Sequence, residues 1–253
     1  MGKIIALANQ KGGVGKSTSA INIATALGLK GKKTLIVDLD PQGNSTSGLG
    51  INKKQIKTTV YDILIARCEA DSAVIKTKFD NLSIIPANIT LAGAEFELVD
   101  AENRETRFKT AIDKIKDNYD YIIIDCPPSL GLLTINALVA SDGVTVPMLC
   151  EYFSLEGLTQ LMITIREVKK RFNQRLELTG IIITMYNGRL NLSAEVLREL
   201  KKYYSDKLFK TMIPRSVRLS EAPSYGEPIQ YYDRKSKATE AYGDLVNELL
   251  TRI

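Results

Sequence analysis

A glycine-rich segment near the start of the chain has the residue types that bind phosphate. It consists of Lys11, Gly12, Gly13, Val14, Gly15, Lys16, Ser17 and Thr18. The glycines allow backbone N–H groups to converge on phosphate oxygens without interference from a Cβ atom. Lys16 supplies a cation for the outer phosphates, and the hydroxyl of Ser17 is a suitable magnesium ligand. The segment therefore predicts a P-loop that binds ATP with Mg²⁺.

The segment departs from the strict P-loop pattern at its start. That pattern, G-x-x-x-x-G-K-[ST], requires glycine at position 10, where this chain has Gln10 followed by a second lysine, Lys11. Because Lys11 precedes the glycines, its side chain need not point into its own nucleotide pocket. Two interpretations stay open: an ordinary surface lysine, or a cation that reaches phosphates held by a second copy of the protein, as an arginine finger does.

Carboxylates follow two apolar segments that predict buried strands. Asp38 and Asp40 come after the strand-like run that begins at Thr34, and Asp125 ends the run Tyr121–Asp125. We expect Asp40 to orient the attacking water and Asp38 to serve either the magnesium shell or the geometry of its loop. Asp125 has Walker-B character and would hold magnesium directly or through water. A plain turn at Asp40 and a capping role for Asp125 are the structural alternatives.

These segments must be positioned by the rest of the chain, which alternates strand patterns with helical patterns. Strands are predicted at Ile4–Ala8, Thr34–Asp38, Leu82–Pro86, Tyr121–Asp125, Gly143–Pro147, Leu178–Thr184 and Phe209–Ile213. Helices are predicted at Lys16–Leu29, Val60–Ala66, Leu91–Val99, Arg107–Lys116, Leu132–Ala140, Leu155–Arg171 and Ser193–Tyr204. The alternation indicates one doubly wound α/β domain over residues 1–253, with a mostly parallel sheet and helices on both faces. Ligands bind at the carboxyl ends of the strands in such sheets, where the predicted site residues lie.

Composition excludes several classes of function. The chain has 253 residues, of which 44% are hydrophobic and 25% charged, which is typical of a globular protein. It contains no histidine, and its three cysteines, Cys68, Cys126 and Cys150, lack paired spacing. A zinc site, a disulfide framework and His-dependent catalysis are therefore not expected. No pattern typical of a signal peptide or a membrane span is visible, so we expect a cytoplasmic protein.

The positive charge of the chain is concentrated in one stretch. The net charge is +5, and residues 186–237 hold 11 Lys and Arg against 6 Asp and Glu, so the remaining residues are balanced. A solvated, Lys-rich surface is one interpretation of this stretch. The other is a face that binds a polyanion, since clustered Lys and Arg are the electrostatic signature of nucleic-acid or anionic-membrane contact.

Together these segments resemble the ParA/MinD family of deviant Walker ATPases. The family markers are Lys11–Thr18, Asp38–Asn44 and Ile122–Pro128. A closer similarity to Soj-type ParA proteins, the chromosome and plasmid partitioning ATPases, rests on Ser47–Gly50, Leu91–Glu95, Pro128–Ala137, Cys150–Tyr152, Leu155–Leu158 and Ile213–Pro223. The markers extend over nearly the whole chain, from residue 3 to about residue 223.

The resemblance implies a nucleotide-driven cycle. ATP with Mg²⁺ would drive a sandwich homodimer in which Lys11 contacts nucleotide across the interface, and Asp40 would position the attacking water. Slow hydrolysis, stimulated by a centromere-binding partner of the ParB/Spo0J type, would return the dimer to monomers. Pro214 and Ser216 fall where the family lines its adenine pocket, although the usual Pro-Arg-Asn is Pro-Arg-Ser here.

The resemblance also implies that the dimer binds double-stranded DNA without sequence preference, as a nucleoid-associated protein. Arg189 and Arg218 fall where Soj-type proteins have basic residues for this contact, and both lie in the basic stretch. Further basic candidates in the same stretch are Lys201, Lys202, Arg234, Lys235 and Lys237.

Two relatives with other functions are the alternatives. A MinD-like ATPase that positions proteins on membranes needs a C-terminal amphipathic helix with basic and bulky apolar faces. Here the tail has acidic residues between apolar residues at i, i+4 spacing, Ala241, Leu245, Leu249 and Ile253. This pattern predicts a helix packed on the body, and we expect no membrane contact. An electron-transfer relative, such as the nitrogenase iron protein, needs cysteine ligands for a cluster, and Cys126 and Cys150 lack suitable partners in the sequence.

Overall fold

The computed structural model describes residues 2–253, and within them the strands form one seven-stranded sheet. In chain order, β1 to β7 are Lys3–Leu7, Thr34–Asp38, Ile75–Lys76, Leu82–Ile85, Tyr121–Asp125, Gly143–Met148 and Glu177–Ile183. Their order in the sheet is β3-β4-β2-β5-β1-β6-β7. The short edge strand β3 is antiparallel to β4, and the other neighbouring pairs are parallel. The predicted mostly parallel, doubly wound α/β fold is confirmed.

Eleven α-helices connect and cover these strands within the described residues. In chain order, α1 to α11 are Lys16–Leu29, Asn44–Gly48, Val60–Leu64, Ala94–Glu97, Arg107–Ile112, Leu132–Ala140, Tyr152–Arg171, Asn191–Tyr204, Val217–Glu221, Ile229–Tyr232 and Lys237–Leu250. Short 3₁₀ turns lie at Ala70–Ala73, Ile89–Gly93, Lys116–Asn118 and Ala222–Tyr225.

The sheet separates two hydrophobic cores. On one face, Ile5 and Ile123 pack with apolar residues of α1 and α11. On the other, Ile4 and Ile122 pack with residues of α3 and α5 to α8. Because the central strands are buried on both faces, their sequences are continuous apolar runs rather than alternating patterns. These runs made the central strands predictable from sequence.

The predicted strand at Phe209–Ile213 is wrong. The segment lies beside β7, and the Ile213 N–H donates to the Ile183 carbonyl at 2.9 Å. Isolated bridges form here instead of a continuous ladder, one of them between Tyr186 and Pro214. Within the segment, the Lys210 and Thr211 N–H groups donate to the Glu248 carboxylate of α11 instead of to β7, which interrupts the ladder.

Some predicted helices are shorter or divided. Leu91–Val99 is a 3₁₀ turn followed by the four-residue α4. The Asn88 side chain accepts a hydrogen bond from the Thr90 N–H at 3.0 Å, which starts that tight turn. α5 ends at Ile112, before the predicted end at Lys116, and α7 begins three residues before the predicted start.

Candidate functional site

The three segments predicted to bind nucleotide meet at one edge of the sheet. The strands that precede them, β2, β5 and β1, are neighbours in the sheet. Asp125 is paired in register with Asp38 on one side and with Leu7 on the other. Because the three strands are parallel, the P-loop after β1 and the two carboxylates lie side by side at the carboxyl ends.

The glycines of the P-loop adopt conformations that other residues avoid. Gly13 has φ +71° and Gly15 has φ +80°, in the left-handed region. Gly15 is the N-cap of the 14-residue helix α1, so the unpaired N–H groups of the first turn face the loop. A loop of this shape at a helix N-terminus binds anions through its backbone and through the helix dipole.

The ammonium group of Lys16 lies in the interior of the protein, beside the P-loop. Its side chain is only 6% exposed, and its Nζ donates to the Lys11 carbonyl at 3.1 Å. Burial lowers the pKa of Lys16, while the nearby Asp125 carboxylate raises it. The buried ammonium group thus has a neutral carbonyl as its hydrogen-bond partner, and a phosphate oxygen would be a stronger one.

Lys11 points away from its own loop. Its Nζ forms an ion pair with Glu151, the residue that precedes α7, and both side chains are partly exposed, at 34% and 52%. This orientation is the one expected if Lys11 does not serve its own pocket. Its contact with nucleotide in a second copy stays a prediction.

Asp38 is fully buried and its carboxylate is occupied by backbone and hydroxyl donors. Its Oδ2 accepts from the Thr46 N–H at 2.8 Å and the Thr46 Oγ1 at 2.7 Å, and its Oδ1 accepts from the Asp40 N–H at 3.2 Å. Burial, and next the charge of Asp125, raise the pKa of Asp38 to about 7. Of the two roles considered for Asp38, these contacts favour control of loop geometry.

Asp125 has one oxygen engaged and one available. Its Oδ2 accepts from the Ser45 hydroxyl at 2.7 Å, whereas its buried Oδ1 has no hydrogen-bond partner within residues 2–253. Burial raises the pKa of Asp125 to about 6, and the hydroxyls of Ser45 and Ser17 oppose that increase. A buried, unpaired carboxylate oxygen near a serine hydroxyl fits a magnesium ion, which would neutralise it.

The protein side chains do not form a metal cage by themselves. In the described part of the chain, no group of three or more His, Cys, Asp or Glu is arranged to hold a metal ion. Mg²⁺ at phosphate sites is usually bound through one or two protein ligands together with phosphate oxygens and water. Ser17 and Asp125 therefore fit a magnesium ion that enters with the nucleotide.

Asp40 lines the same cavity and also forms a turn. A cavity of about 450 Å³ is lined by P-loop residues together with Asp40 and Pro128. The Asp40 Oδ1 accepts from the Gln42 N–H at 2.9 Å, and the side chain is 5% exposed. The turn expected as the structural alternative is present, and it holds the carboxylate at the cavity.

A second cavity of about 220 Å³ adjoins the first and has the Pro214 segment in its wall. Both cavities are lined by Gly15 and Thr18, so they are continuous with the P-loop. The Ser216 side chain accepts from the Leu219 N–H at 3.3 Å as the N-cap of α9, which occupies one lone pair of its hydroxyl. The predicted base-pocket segment is thus next to the phosphate loop.

Two residues of the site, Thr184 and Ser45, were not predicted from the sequence. Thr184 lines the smaller cavity, and its hydroxyl donates to the Val14 carbonyl at 2.8 Å, which ties the P-loop to the end of β7. Ser45 contacts Asp125, as described above. Their types and spacing carry no signal of their own, and only the position of each directly after a strand or switch segment could have indicated them.

The basic candidates do not all lie together. All seven are exposed: Arg189, Arg218, Lys201, Lys202, Arg234, Lys235 and Lys237. Arg189 and Arg218 follow the Tyr186–Pro214 bridge within four residues, so they start from the same edge of the sheet. Lys201 and Lys202 lie near the other end of α8, about 15 Å further along the helix axis.

Arg218 differs from the other candidates because it already has acidic partners. Its guanidinium lies 3.3 Å from the Glu221 carboxylate and 3.9 Å from that of Asp233. It also lies over the Tyr232 ring, 5.9 Å from the centroid. These exposed ion pairs are weak, so they would be exchanged readily for phosphate.

Comparisons with known proteins identify the family of this chain. A family model described as an AAA domain matches residues 2–178. The sporulation initiation inhibitor protein Soj of Bacillus subtilis is 55% identical over 249 residues, which cover 98% of each chain. The chain belongs to the ParA/Soj family of P-loop ATPases.

A further relative and a solved structure are similar to this chain over nearly its whole length. The chromosome partitioning protein ParA of Caulobacter vibrioides is 47% identical, with 99% of this chain and 94% of that protein covered. Among solved structures, a cobyrinic acid a,c-diamide synthase of Mycobacterium smegmatis with bound ADP and magnesium is 37% identical, with a TM-score of 0.87. That match covers 99% of this chain and 94% of the other.

Proposed function

We propose that this ParA/Soj ATPase partitions DNA, either a chromosome or a plasmid, as a single domain over residues 1–253. Mg-ATP binds at the P-loop and drives homodimerisation, the dimer binds double-stranded DNA without sequence preference, and slow hydrolysis releases it. A ParB/Spo0J-type protein is the expected partner that stimulates hydrolysis. The similarity to Soj and to a chromosome partitioning ParA over nearly the full chain supports this proposal.

In the proposed site, Lys16 and the P-loop backbone hold the phosphates, while Ser17 and Asp125 hold magnesium. The ion would neutralise phosphate charge and help to orient the nucleotide. Asp40 holds the attacking water, and the apolar cavity beside Pro214 takes the adenine base.

The orientation of the Lys11 side chain is the observation that best supports the proposed dimer. Its side chain leaves its own loop for Glu151 on the surface, so it is available to a second copy. The neighbouring Gly12 leaves the surface open, since a Cβ atom built there would meet no atom closer than Pro128 Cβ at 3.9 Å. A second backbone could therefore approach the loop closely.

The MinD-like alternative has less support. Within residues 2–253, no helix combines the length and apolar character that a membrane span requires, but a MinD-like contact depends on an amphipathic helix instead. The tail helix α11 buries Tyr242, Leu245, Val246 and Leu249 in the same core as residues of α1. Its apolar face is thus occupied by the protein itself, and little of it is left for a lipid surface.

The cluster-binding alternative also has less support. Cys126 is fully buried, and burial raises the pKa of its thiol well above the usual range. Burial likewise raises the pKa of Cys150 to about 11. Thiolate is the form that binds iron, so neither residue is a favourable cluster ligand.

Light scattering during gel filtration tests the proposal directly. We expect a monomer without nucleotide, a dimer with Mg-ATPγS, and binding to random-sequence DNA only in the second condition. The Lys11→Ala variant should bind ATP and remain monomeric. A dimer that forms without nucleotide, or DNA binding that is indifferent to nucleotide, would overturn the proposed cycle.

A further inference from the structure

Two adjacent hydroxyls on the short helix α2 reach two different carboxylates of the site. Ser45 and Thr46 are both fully buried. Ser45 donates to Asp125, and Thr46 donates to Asp38. Both hydroxyls thus fasten the segment that follows Asp40 to the ends of β5 and β2.

The Ser45 contact determines which oxygen of Asp125 is available. The hydroxyl lies 2.7 Å from Oδ2, and this hydrogen bond fixes the rotation of the carboxylate about its χ2 torsion. Oδ1 is left buried and without a partner in the described structure. A free oxygen of fixed direction near the Ser17 hydroxyl is the arrangement that a small cation with strict geometry requires.

The Thr46 contacts make this arrangement stiff. Besides its two hydrogen bonds to Asp38, Thr46 accepts from the Ala87 N–H through Oγ1 at 3.0 Å. α2 is therefore held at β2, at β5 and at the chain that follows β4. A movement of the Asp40 segment would carry Ser45 with it and would change the orientation of Asp125.

We propose that Ser45 is a positioning residue for magnesium: through Asp125, it sets the metal affinity of the site and couples it to the Asp40 segment. This inference rests on the proposed Mg-ATP site and adds a residue that the motifs do not contain. Partners that orient metal ligands commonly change metal affinity by 10- to 100-fold when they are lost.

Ser47 provides a matched control on the same helix. Its hydroxyl donates to the Gly43 carbonyl at 3.2 Å and is not bonded to either carboxylate. Ser45→Ala and Ser47→Ala remove the same atom from the same five-residue helix. A difference between the two variants in their dependence on magnesium therefore reports the contact with Asp125.

The experiment measures binding rather than turnover. The affinity for a fluorescent ATP analogue is measured with EDTA and across a magnesium titration, and Mn²⁺ binding to the protein–nucleotide complex is followed by EPR. For Ser45→Ala we expect the Mg²⁺ and Mn²⁺ concentrations at half-saturation to rise about tenfold or more, while the metal-free affinity stays at the wild-type value. Ser47 lines the nucleotide cavity, so Ser47→Ala serves as the control for metal dependence, which should match that of the wild type.

Several outcomes separate failure of this inference from failure of the proposed function. If wild-type nucleotide binding ignores magnesium, the Mg-ATP site itself is wrong. If the wild type depends on magnesium and Ser45→Ala shows the same dependence, only the role of Ser45 is refuted. The same conclusion follows if Ser45→Ala loses as much nucleotide affinity in EDTA as it does with magnesium. If Ser45→Ala does not fold, Ser45→Cys keeps a weak donor at this position and should bind metal less tightly than the wild type. Wild-type metal affinity in that variant would contradict the inference.

Discussion

At the scale of single residues, two buried carboxylates dominate the electrostatics of the site. Burial raises the pKa of Asp38 to about 7 and that of Asp125 to about 6. Unfolding returns each group to the ordinary value near 4, so between these limits the folded state holds protons that the unfolded state releases. The metal-free protein should therefore lose stability as pH rises from about 4 through 7, and the part of this loss that falls between pH 6 and 8 is on the order of 1 kcal/mol.

Chemical denaturation of the metal-free protein at pH 6, 7 and 8 measures this effect. The chain contains no histidine, so few other side chains titrate in this range. Asp38→Asn should flatten the dependence because it removes the group with the higher pKa. Stability that stays level or increases toward pH 8 in the wild type would contradict the assignment of raised pKa values.

Variants of Asp40 and Lys16 should distinguish the positioning of the attacking water from nucleotide binding. Asp40→Ala should keep ATP affinity and accumulate the dimer, because the P-loop stays intact while the attacking water loses its carboxylate. Lys16→Ala should lose ATP binding, because the cation that faces the outer phosphates is gone. Calorimetry and gel filtration with ATP measure both effects, and a monomeric Asp40→Ala would mean that this carboxylate helps to assemble the site.

Some residues of the site could be predicted from the sequence, and others could not. Lys16, Ser17 and Asp125 were predictable because a P-loop and an apolar strand that ends in Asp are distinctive patterns. Ser45 was not, because a serine after a turn is common and its role depends on which carboxylate the fold brings beside it. That neighbour comes from the pairing of β2 with β5, which local sequence does not encode.

At the scale of elements, the P-loop is the part on which dimerisation depends. Gly12→Val should leave the monomer folded and able to bind ATP, because a Cβ atom at this position would have ordinary contact with Pro128 at 3.9 Å. Its branched side chain would occupy the surface that a second loop must approach, so we expect no dimer. Light scattering with Mg-ATPγS measures this, and an ATP-dependent dimer of Gly12→Val would refute close apposition at the loop.

Gly15→Val is the comparison variant for this element. Gly15 has φ +80°, which a β-branched residue adopts only with strain, so this variant should lose ATP binding as well.

The long apolar strands and α1 were predictable from their sequence patterns. The two-residue β3 and the divided helix after Asn88 were not, because segments this short contain too few residues to show a period.

At the scale of the whole molecule, the question is where DNA binds. The sequence located the excess charge in residues 186–237, but it could not show how that charge is distributed in space. Helix α8 separates the basic candidates, since Arg189 lies before its start and Lys201 and Lys202 lie near its end. We therefore expect DNA to bind at a face that contains Arg189 and Arg218, which is only part of the basic stretch.

Replacement of Arg189 and Arg218 by Glu should abolish DNA binding and leave ATP-driven dimerisation and basal hydrolysis nearly unchanged. Lys201→Glu with Lys202→Glu makes the same change in net charge at the other end of α8, and we expect a smaller loss of DNA affinity.

Since phosphate contacts release counterions, wild-type affinity for DNA should fall steeply with salt, and each single Arg→Ala variant should reduce the slope of log affinity against log salt concentration by about one unit. Affinities measured at several salt concentrations by fluorescence anisotropy provide these slopes. If the double arginine variant binds DNA as the wild type does, the DNA-binding face lies elsewhere, and if it fails to dimerise, the two arginines are structural.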